Sequence, residues 1–253
     1  MKLSVIFPAL NESAVIEQTL DNAFVHLRNL KLPYEVIVVD NASTDNTVAL
    51  VEAFALSHPE LRLIRHPQNL GYAHSNLTGF QNATGDVVVV ADSDGQHSLE
   101  DLPLFLAKVA AGIDIVYGWR KVRHDPFLRK VISAGLNLCS RWLLQWQLHD
   151  INCGFRVVTA EVAHSLTTVY PVNYFGPQLW VIAVNHGFNV GEVIVQHAER
   201  KGGTSIHTPW RLPVIIGRAF GYLWSLHGEM RPGSIMRSGH GVAIAAQAPG
   251  PRD

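Results

Sequence analysis

The sequence predicts an α/β fold in which a mostly parallel central sheet is flanked by helices on both faces. Short runs of apolar, β-branched residues alternate with longer segments whose apolar residues recur at helical spacing. One run consists of four consecutive valines, Val87–Val90, which is typical of a strand buried on both faces. Strands that alternate with helices pair in parallel, because each helix carries the chain back to the starting edge of the sheet.

The same pattern places the individual elements along the first half of the chain. Strands are expected at Leu3–Phe7, Glu35–Val39, Leu61–Arg65, Asp86–Val90 and Ile113–Tyr117. Helices are expected from a cap at Asn11 or Ser13 to about Leu30, from a cap at Ser43, over Ala73–Ala83 and over Leu99–Ala111. The carboxyl ends of these strands, where parallel sheets bind ligands, then carry Asn11, Asp40, Asp92 and Asp94.

Composition and charge exclude several classes of protein. The chain has 253 residues with 20 Lys and Arg against 21 Asp and Glu, so its net charge of −1 gives no overall attraction to nucleic acid. Its two cysteines, Cys139 and Cys153, show neither metal-site spacing nor a disulfide pattern, which favours a reducing compartment. No apolar stretch reaches the roughly 18–20 residues that cross a bilayer, so we do not expect an integral membrane protein.

The residues after the valine run form the strongest candidate site. Asp92, Asp94 and Gln96 alternate with the small residues Ser93 and Gly95. If this segment is extended, the three longer side chains point the same way, and two carboxylates with one amide oxygen suit Mg²⁺ or Mn²⁺. The alternative is a polar turn after a strand, for which Asp and Gly are equally typical.

Several short segments carry a family resemblance. Residues 7–12 (FPALNE) are similar to P-x-Y-N-E, residues 40–45 (DNASTD) to D-D-G-S-T-D, and residues 92–97 (DSDGQH) to D-A-D-x-Q-H. Residues 118–120 (GWR), 153–156 (CGFR) and 200–205 (RKGGTS) are similar to G-S-R, C-G-F-R and R-x-x-G-x-S. In this order they resemble the family 2 glycosyltransferases, and within these the dolichyl- and polyprenyl-phosphate sugar (mannose or glucose) synthases. The chain departs from the patterns at Leu10, Asn41 and Trp119, where an aromatic residue, an acid and Ser are usual.

The resemblance implies a Rossmann-like fold of the glycosyltransferase A type and a catalytic domain over residues 1–206. It implies that the donor nucleotide is bound by Pro8, Leu10, Asn11, Glu12, Asp40 and Asp92. It also implies that Asp92, Asp94 and Gln96 hold Mg²⁺ or Mn²⁺, which would neutralise charge on the leaving nucleoside diphosphate. The catalytic residues are then Asp94, Arg120 and Arg129. For Asp40, a turn-forming role explains its position equally well.

A basic cluster follows the fifth predicted strand. Residues 120–130 contain five cations against a single acid, and a helix is expected to begin at Asp125-Pro126. The cluster is either a solvated face or a phosphate site, since arginine matches phosphate oxygens with paired donors. By the resemblance, the acceptor phosphate would be bound by Arg120, Arg129, Arg200 and Ser205. We expect Asp150 and Arg156 to form a structural ion pair.

An absence of acids bears on the reaction. No Asp or Glu occurs between Val162 and Gly191, where members of the family that glycosylate a hydroxyl usually present a general base. A phosphate monoester is already ionised at neutral pH and needs cations and positioning instead. The expected reaction is therefore an inverting transfer from a nucleotide sugar to a polyprenyl phosphate. The alternatives are a transferase that acts on a hydroxyl of a glycan or small molecule, and a non-catalytic nucleotide-sugar-binding protein.

Two apolar helices fit a lipid acceptor. The helix after residue 126 has an apolar face that must be buried in protein or lipid. A second helix, within residues 207–228, is expected to lie in the membrane interface with Trp210, Tyr222 and Trp224 at headgroup level. A core or dimer helix is the alternative.

The predicted surroundings of the protein follow from these segments. Residues 229–253 are rich in Gly, Ala and Pro and are expected to be poorly ordered. The expected partners are a nucleotide sugar, a polyprenyl phosphate and a membrane surface, with a second copy of the chain or a membrane protein as further possibilities. The expected location is peripheral, on the cytoplasmic face of a membrane.

Overall fold

The structure, a computed structural model, describes residues 1–122, 127–169, 175–198, 212–230 and 243–244. Its strands are β1 (Leu3–Ala9), β2 (Tyr34–Asp40), β3 (Leu61–Arg65), β4 (Val87–Val90), β5 (Ile115–Trp119), β6 (Arg156–Thr159), β7 (Val190–Ile194) and β8 (Ala243–Ile244). Its helices are α1 (Ile16–Leu30), α2 (Thr47–Ala55), α3 (Tyr72–Asn82), α4 (Leu102–Ala110), α5 (Phe127–Leu144), α6 (Ala160–Ser165), α7 (Gly176–His186) and α8 (Leu212–Glu229).

These strands form one mostly parallel sheet in the order β3-β2-β1-β4-β6-β5-β7-β8. The exception to parallel pairing is β6, which runs antiparallel to both β4 and β5. β8, which lies in the segment expected to be poorly ordered, pairs in parallel with β7. The predicted α/β fold with a mostly parallel sheet is confirmed.

The valine run shows why the sheet needs helices on both faces. Val88 and Val90 belong to a core cluster with helices α3, α5, α6, α7 and α8. Val87 and Val89 belong to a second cluster with α1, α2 and α4. Side chains of a strand alternate between faces, so a strand that is apolar at every position requires a core on each side.

The strand order creates the ligand-binding edge of the sheet. β2 pairs with one side of β1 and β4 with the other, so the direction in which successive strands are added reverses between β1 and β4. Parallel sheets bind ligands at the carboxyl ends of their strands next to such a reversal. We call this edge the rim; it comprises the loops that follow β1, β2, β4 and β5.

Two predicted helix caps are wrong. α1 begins at Ile16 after Val15, and α2 begins at Thr47 after Asn46, and neither preceding side chain caps its helix. The side chains that were expected to cap them serve the rim instead. Asn11 accepts a hydrogen bond from the backbone N–H of Thr44 at 2.8 Å, and Ser43 Oγ accepts one from the N–H of Asn11 at 2.9 Å.

The C-terminal helix α8 packs on the body of the protein by one face and exposes the other. Ala219, Tyr222, Leu223 and Leu226 are buried in the core that α5 and α7 share. Tyr222 is therefore not at a membrane headgroup level as predicted, because it points into the protein. Within the described residues, no helix combines the length and apolar character needed to cross a membrane.

Candidate functional site

The loops after β1 and β2 interlock at one end of the rim. Asn11 has a left-handed backbone, with φ of 56°, and this turns its side chain onto the loop after β2. The carboxylate of Asp40 accepts from the N–H of Ser43 at 3.2 and 3.3 Å and is almost fully buried. Asp40 therefore has the turn-forming role, one of the two that its position suggested.

Pro8, Leu10 and Glu12, which were also expected to bind the donor, lie at the same end of the rim. The carbonyl of Pro8 accepts from Ser93 Oγ at 2.7 Å, which joins β1 to the loop after β4. The N–H of Glu12 donates to Thr47 Oγ1 at 2.9 Å, and Leu10 is half-buried between these contacts. The structure brings these residues together around the end of β1.

Asn41, which stands where the family pattern has an acid, organises a further loop. Its side-chain oxygen accepts from the N–H of Leu70 at 2.9 Å and contacts His66 Nδ1 at 3.1 Å. Its side-chain nitrogen donates to Asn69 Oδ1 at 2.9 Å. An amide both donates and accepts, so Asn41 makes a set of bonds that an ionised acid would not make.

Asp92 is held from two sides at the end of β4. Tyr72 donates its hydroxyl hydrogen to Asp92 Oδ1 at 2.9 Å. Burial and the charge of Asp92 raise the pKa of Tyr72, so the tyrosine remains a donor at neutral pH. On the other side, a Cβ atom at Gly154 would lie 1.8 Å from Asp92 Oδ2. Only glycine leaves room for the carboxylate at this position.

The segment that contains Asp94 is a turn and not an extended strand. Gly95 has φ of 73°, and Asp94 Oδ1 accepts from the N–H of Gln96 at 3.1 Å. The predicted alternation of Asp92, Asp94 and Gln96 along an extended segment is therefore wrong. The left-handed glycine reverses the chain, and the Gln96 side-chain nitrogen donates to the carbonyl of Ala198 at 3.3 Å.

These residues suit a divalent cation by their chemistry. Asp92 and Asp94 offer hard carboxylate oxygens, and Gln96 offers a neutral amide oxygen while its nitrogen is used elsewhere. Gly154 allows the Asp92 carboxylate to take its position at the end of β4, because any larger side chain would displace it. Among the described residues, no three or more His, Cys, Asp and Glu side chains gather as a metal site, so the candidate consists of two carboxylates and an amide.

Arg120 lies behind the rim and is bound to Asp150. Its Nε donates to Asp150 Oδ2 at 2.7 Å and its Nη2 donates to Asp150 Oδ1 at 3.0 Å. Burial alone would lower the pKa of Arg120, but the hydrogen bonds and charge of Asp150 outweigh this effect and raise it. The charge of Asp92 acts on Arg120 in the same direction, so the arginine is a permanent cation near the carboxylate pair.

Arg156 is a buried cation without the expected partner. The predicted Asp150–Arg156 ion pair is wrong, because Asp150 pairs with Arg120 and no bond joins it to Arg156 among the described residues. The guanidinium of Arg156 lies 5.9 Å from the ring centres of Tyr117 and of Phe175. Its Nε and Nη1 have no hydrogen-bond partner, so aromatic faces supply its stabilisation.

Cys153 and His97 fill the space beneath the carboxylates. Burial raises the pKa of the Cys153 thiol to about 12, so the thiol stays protonated and unreactive. Burial lowers the pKa of His97 to about 4, so its ring is neutral at neutral pH. The two side chains lie 4.0 Å apart, from Sγ to Nε2.

A group at the end of β5 was missed by the sequence analysis. The ring of His149 stacks on Trp119 with centres 3.9 Å apart and planes 12° apart. Glu192, which is almost fully buried in β7, accepts from His149 Nδ1 and from the backbone N–H of His149. A charged residue inside the otherwise apolar run VGEVIV was the available signal for this contact.

A cavity of about 250 Å³ lies beside the Asp94 turn. Its walls come from the first turns of α1, from residues 95–98 and from residues 196–198. Gln18, Asn22, Gln96 and Gln196 line it, and among the described residues no Asp, Glu, Lys or Arg does so. Their amide groups can both donate and accept hydrogen bonds.

Three of the predicted phosphate-binding side chains lie outside the described residues. Arg200 and Ser205 belong to the segment 199–211. The backbone of Arg129 is part of α5, but its side chain is not described. Of the predicted acceptor site, the structure therefore describes Arg120 alone.

The fold and the rim define an α/β protein with a ligand-binding edge of carboxylates next to buried arginines. The sequence matches the glycosyl transferase family 2 over residues 4–164, which is more than half of the chain. The chain therefore belongs to family 2 of the glycosyl transferases.

Individual relatives refine this assignment. The chain is 30% identical over 205 residues to the undecaprenyl-phosphate 4-deoxy-4-formamido-L-arabinose transferase of Pectobacterium carotovorum subsp. carotovorum (strain PC1), a match that covers 80% of this chain and 62% of that protein. The chain thus spans less than two thirds of the length of this relative.

Solved structures share the fold. Glucosyl-3-phosphoglycerate synthase from Mycobacterium tuberculosis, in complex with Mn²⁺, uridine-diphosphate and phosphoglyceric acid, matches with a TM-score of 0.71 at 21% identity, over 90% of this chain and 78% of that one. The same enzyme with Mg²⁺ and uridine-diphosphate matches with a TM-score of 0.69 at 22% identity, over 90% and 79%. The predicted glycosyltransferase A type of fold is confirmed.

Proposed function

We propose that this protein is a metal-dependent, inverting glycosyltransferase that moves a sugar from a nucleotide sugar to the phosphate of a polyprenyl phosphate. The relative from Pectobacterium, whose name specifies undecaprenyl phosphate, supports this class of acceptor. The Mycobacterium structures with uridine-diphosphate and Mn²⁺ or Mg²⁺ support a nucleotide donor and a divalent ion.

The observation that carries the proposal is that both described carboxylates on the β5 side of the rim, Asp150 and Glu192, are buried and already hydrogen-bonded. Asp150 is bound to Arg120 through two hydrogen bonds, and Glu192 is buried and bound to His149. The intervening residues 162–191, which include α7, contain no acid. A hydroxyl acceptor would need an accessible general base here, whereas an ionised phosphate needs cations.

The bond changes of the proposed reaction are simple. An oxygen of the acceptor phosphate forms a bond to the anomeric carbon as the bond from that carbon to the nucleoside diphosphate breaks. The bonding electron pair leaves with the nucleoside diphosphate, and no proton has to be removed from the acceptor. Catalysis then depends on aligning two anions, which mutual repulsion would otherwise keep apart.

Different residues at the rim would bind the metal ion and the acceptor phosphate. Asp92, Asp94 and Gln96 would hold the divalent ion, which supplies positive charge next to the leaving nucleoside diphosphate when it is bound. Tyr72 and Gly154 fix the position of the Asp92 carboxylate. Arg120 contributes a permanent positive charge, and we assign Arg129, Arg200 and Ser205 to the acceptor phosphate as proposals.

We further propose that α5 and α8 bring the protein to the membrane surface that contains the acceptor. The two helices pack against each other, and His227 of α8 lies 2.7 Å from the carbonyl of Leu143 in α5. Trp142 is 73% exposed and Trp224 is 58% exposed, which is unusual for indoles. Arg141 and Arg218 are exposed on the same helices and would meet anionic headgroups.

A donor panel tests the proposed function. The purified chain is incubated with Mn²⁺, a short polyprenyl phosphate and a series of nucleotide sugars, and products are identified by mass. We expect one donor to give a polyprenyl phosphate sugar. If no donor in the panel transfers to the phosphate while one transfers to a hydroxyl of a glycan, the proposed acceptor is wrong.

A further inference from the structure

We propose that His149 is a ligand for the phosphate group of the acceptor and that Glu192 and Trp119 hold it in position. The inference rests on the proposed function and adds to it a residue that lies outside all of the motif segments. The imidazole of His149 is half-exposed and lies between a buried carboxylate and an indole ring. The ring of His149 is 38% exposed, whereas the Glu192 carboxylate is 2% exposed.

Glu192 fixes which nitrogen of His149 is available. An ionised carboxylate can only accept hydrogen bonds, so Nδ1, which contacts Glu192 Oε1, carries the hydrogen. The second carboxylate oxygen accepts from the backbone N–H of His149 at 2.9 Å, and this fixes the main chain as well. No described residue forms a hydrogen bond with Nε2, which is therefore the atom that can meet a ligand.

Trp119 sets the plane of the ring. The two rings are nearly parallel at 3.9 Å, so the indole supports one face of the imidazole along its whole width. An indole face attracts a cation, and the buried carboxylate of Glu192 supplies a negative charge on the opposite nitrogen. When both ring nitrogens carry hydrogen, Nε2 can donate a hydrogen bond to an anion. This use explains an indole at a position where the family pattern has a small residue.

The location of His149 indicates the acceptor and not the donor. Trp119 and Arg120 are consecutive at the end of β5, and His149 and Asp150 are consecutive in the loop that contacts them. Side chains of a strand alternate, so Trp119 lies on the same face of β5 as Ile115 and Tyr117, which belong to the core shared with α5 and α8. Arg120 follows on the other side, where the charges of Asp92 and Asp150 act on it. His149 therefore lies on the side of the rim from which a lipid held near α5 and α8 would enter.

The charged groups around His149 are compatible with a phosphate. Glu192 and Asp150 carry negative charge, and each is already bonded, to His149 and to Arg120 respectively. Arg141 of α5 donates to the carbonyl of Leu148 at 3.5 Å, which adds a cation on the helix side. A phosphate that binds here would thus lie near three basic side chains: Arg120 after β5, Arg141 in α5 and His149 in the loop between α5 and β6.

A purely structural role is the competing explanation. The Glu192–His149 bond joins the loop before β6 to β7, and its loss alone would weaken the fold. The two explanations differ in what a substitution changes. A phosphate ligand affects the KM for the acceptor, whereas a structural contact affects stability and every kinetic constant together.

The test uses His149→Asn in the full chain with geranyl phosphate as the acceptor. The asparagine amide can still donate to Glu192 in place of Nδ1 but has no atom at the position of Nε2. We expect the KM for geranyl phosphate to rise about 10-fold or more, as for loss of a hydrogen bond to a charged group. The KM for the donor and the melting temperature should stay unchanged. Calorimetry should show that the preference for geranyl phosphate over geraniol is reduced.

His164→Asn is the matched control, because His164 is exposed on α6 and has no contact with the rim. Glu192→Gln is the second variant and should give a smaller rise in the same KM. An unchanged KM for geranyl phosphate in His149→Asn, with an active wild type, would overturn this inference alone. A parallel loss in donor KM, kcat and melting temperature would establish the structural role instead. A wild type that transfers to no prenyl phosphate would overturn the proposed function, and the inference with it.

Discussion

Asp92 and Asp94 are positioned by different parts of the chain. Asp92 depends on the hydroxyl of Tyr72 in α3 and on the space above Gly154, whereas Asp94 depends on the turn that Gly95 permits. Contacts from separate segments fix both carboxylates before any cation binds. This arrangement reduces the reorganisation that binding requires, because each carboxylate is already held by contacts within the protein.

At the residue scale, Asp94→Asn should remove activity and leave the fold intact. Asparagine keeps the oxygen that accepts from the N–H of Gln96, so the turn is retained while one negative charge is lost. We expect kcat to fall by about 100-fold or more at saturating Mn²⁺. Asp86→Asn is the control, because this carboxylate is 69% exposed at the opposite end of β4. A near-normal rate for Asp94→Asn would contradict the assignment of the metal ligands.

Single residues were predictable where a motif fixes them and unpredictable where partners come from distant segments. The candidate residues of the rim follow from their place after strands, and the structure brings them together. The ion-pair partner of Asp150 could not be predicted. Arg120 precedes Asp150 in the chain and Arg156 follows it, and the sequence does not show which of the two arginine side chains points towards the carboxylate. The turn at Gly95 was one of two open alternatives until its φ of 73° was known.

At the element scale, one buried carboxylate joins the strands at the end of the sheet opposite the rim. Glu35 of β2 accepts from Ser4 of β1, from Thr84 before β4 and from Arg62 of β3. Burial would raise the pKa of Glu35, but the hydrogen bonds from Ser4, Thr84 and Arg62 outweigh it and lower the pKa from 4.5 to about 2. A carboxylate with a lowered pKa in the folded state stabilises the fold in its ionised form.

This carboxylate predicts a specific loss of stability in acid. Its contribution, on the order of 2–3 kcal/mol, is fully present above pH 4.5 and is lost as the pH falls towards 2. Urea unfolding at several pH values should therefore show that Glu35→Gln is destabilised at pH 7 and loses less further stability between pH 5 and 3 than the wild type does. Equal acid-induced losses in the two proteins would contradict this account of Glu35.

The helix pair α5 and α8 is the element that we connect to the membrane. Replacing both Trp142 and Trp224 by Ser should release the protein from anionic liposomes in a flotation assay, because two exposed indoles supply much of the apolar contact. Leu56→Ser is the control, since Leu56 is 90% exposed at the end of α2. If the wild type does not float and instead forms a dimer that the double substitution dissociates, this surface is an oligomer contact.

Elements were predicted well where hydrophobic periodicity decides them. The ends of β1 to β5 and of α1 to α4 fall within a few residues of expectation, whereas the predicted caps were wrong because Asn11 and Ser43 bond to each other's loops. In α8 the periodicity marked an apolar helix, but it did not show which face the protein covers. Tyr222 is buried because α5 and α7 happen to pack on its side.

At the scale of the whole molecule, the strand order places the two groups of rim loops on opposite sides of the carboxylates after β4. The loops after β1 and β2 form one end of the rim, where Asn11 and Asp40 bond to the segment of Ser43 and Thr44. The loop after β5 and the segment of His149 and Asp150 form the other end, next to α5 and α8. The carboxylates after β4 lie between them. We infer that donor and acceptor approach from opposite ends and meet at Asp92 and Asp94.

The measurement that tests this account most directly compares two acceptors that differ only in the phosphate. Geranyl phosphate and geraniol are offered at equal concentration with the active nucleotide sugar and Mn²⁺, and the products are identified by mass. Because the described residues on the β5 side of the rim include a buried arginine and carboxylates that are already bonded, and no accessible carboxylate base, we predict a product from geranyl phosphate alone. Transfer to geraniol at a comparable rate would contradict the account, because it would require a general base that the described part of this rim does not provide.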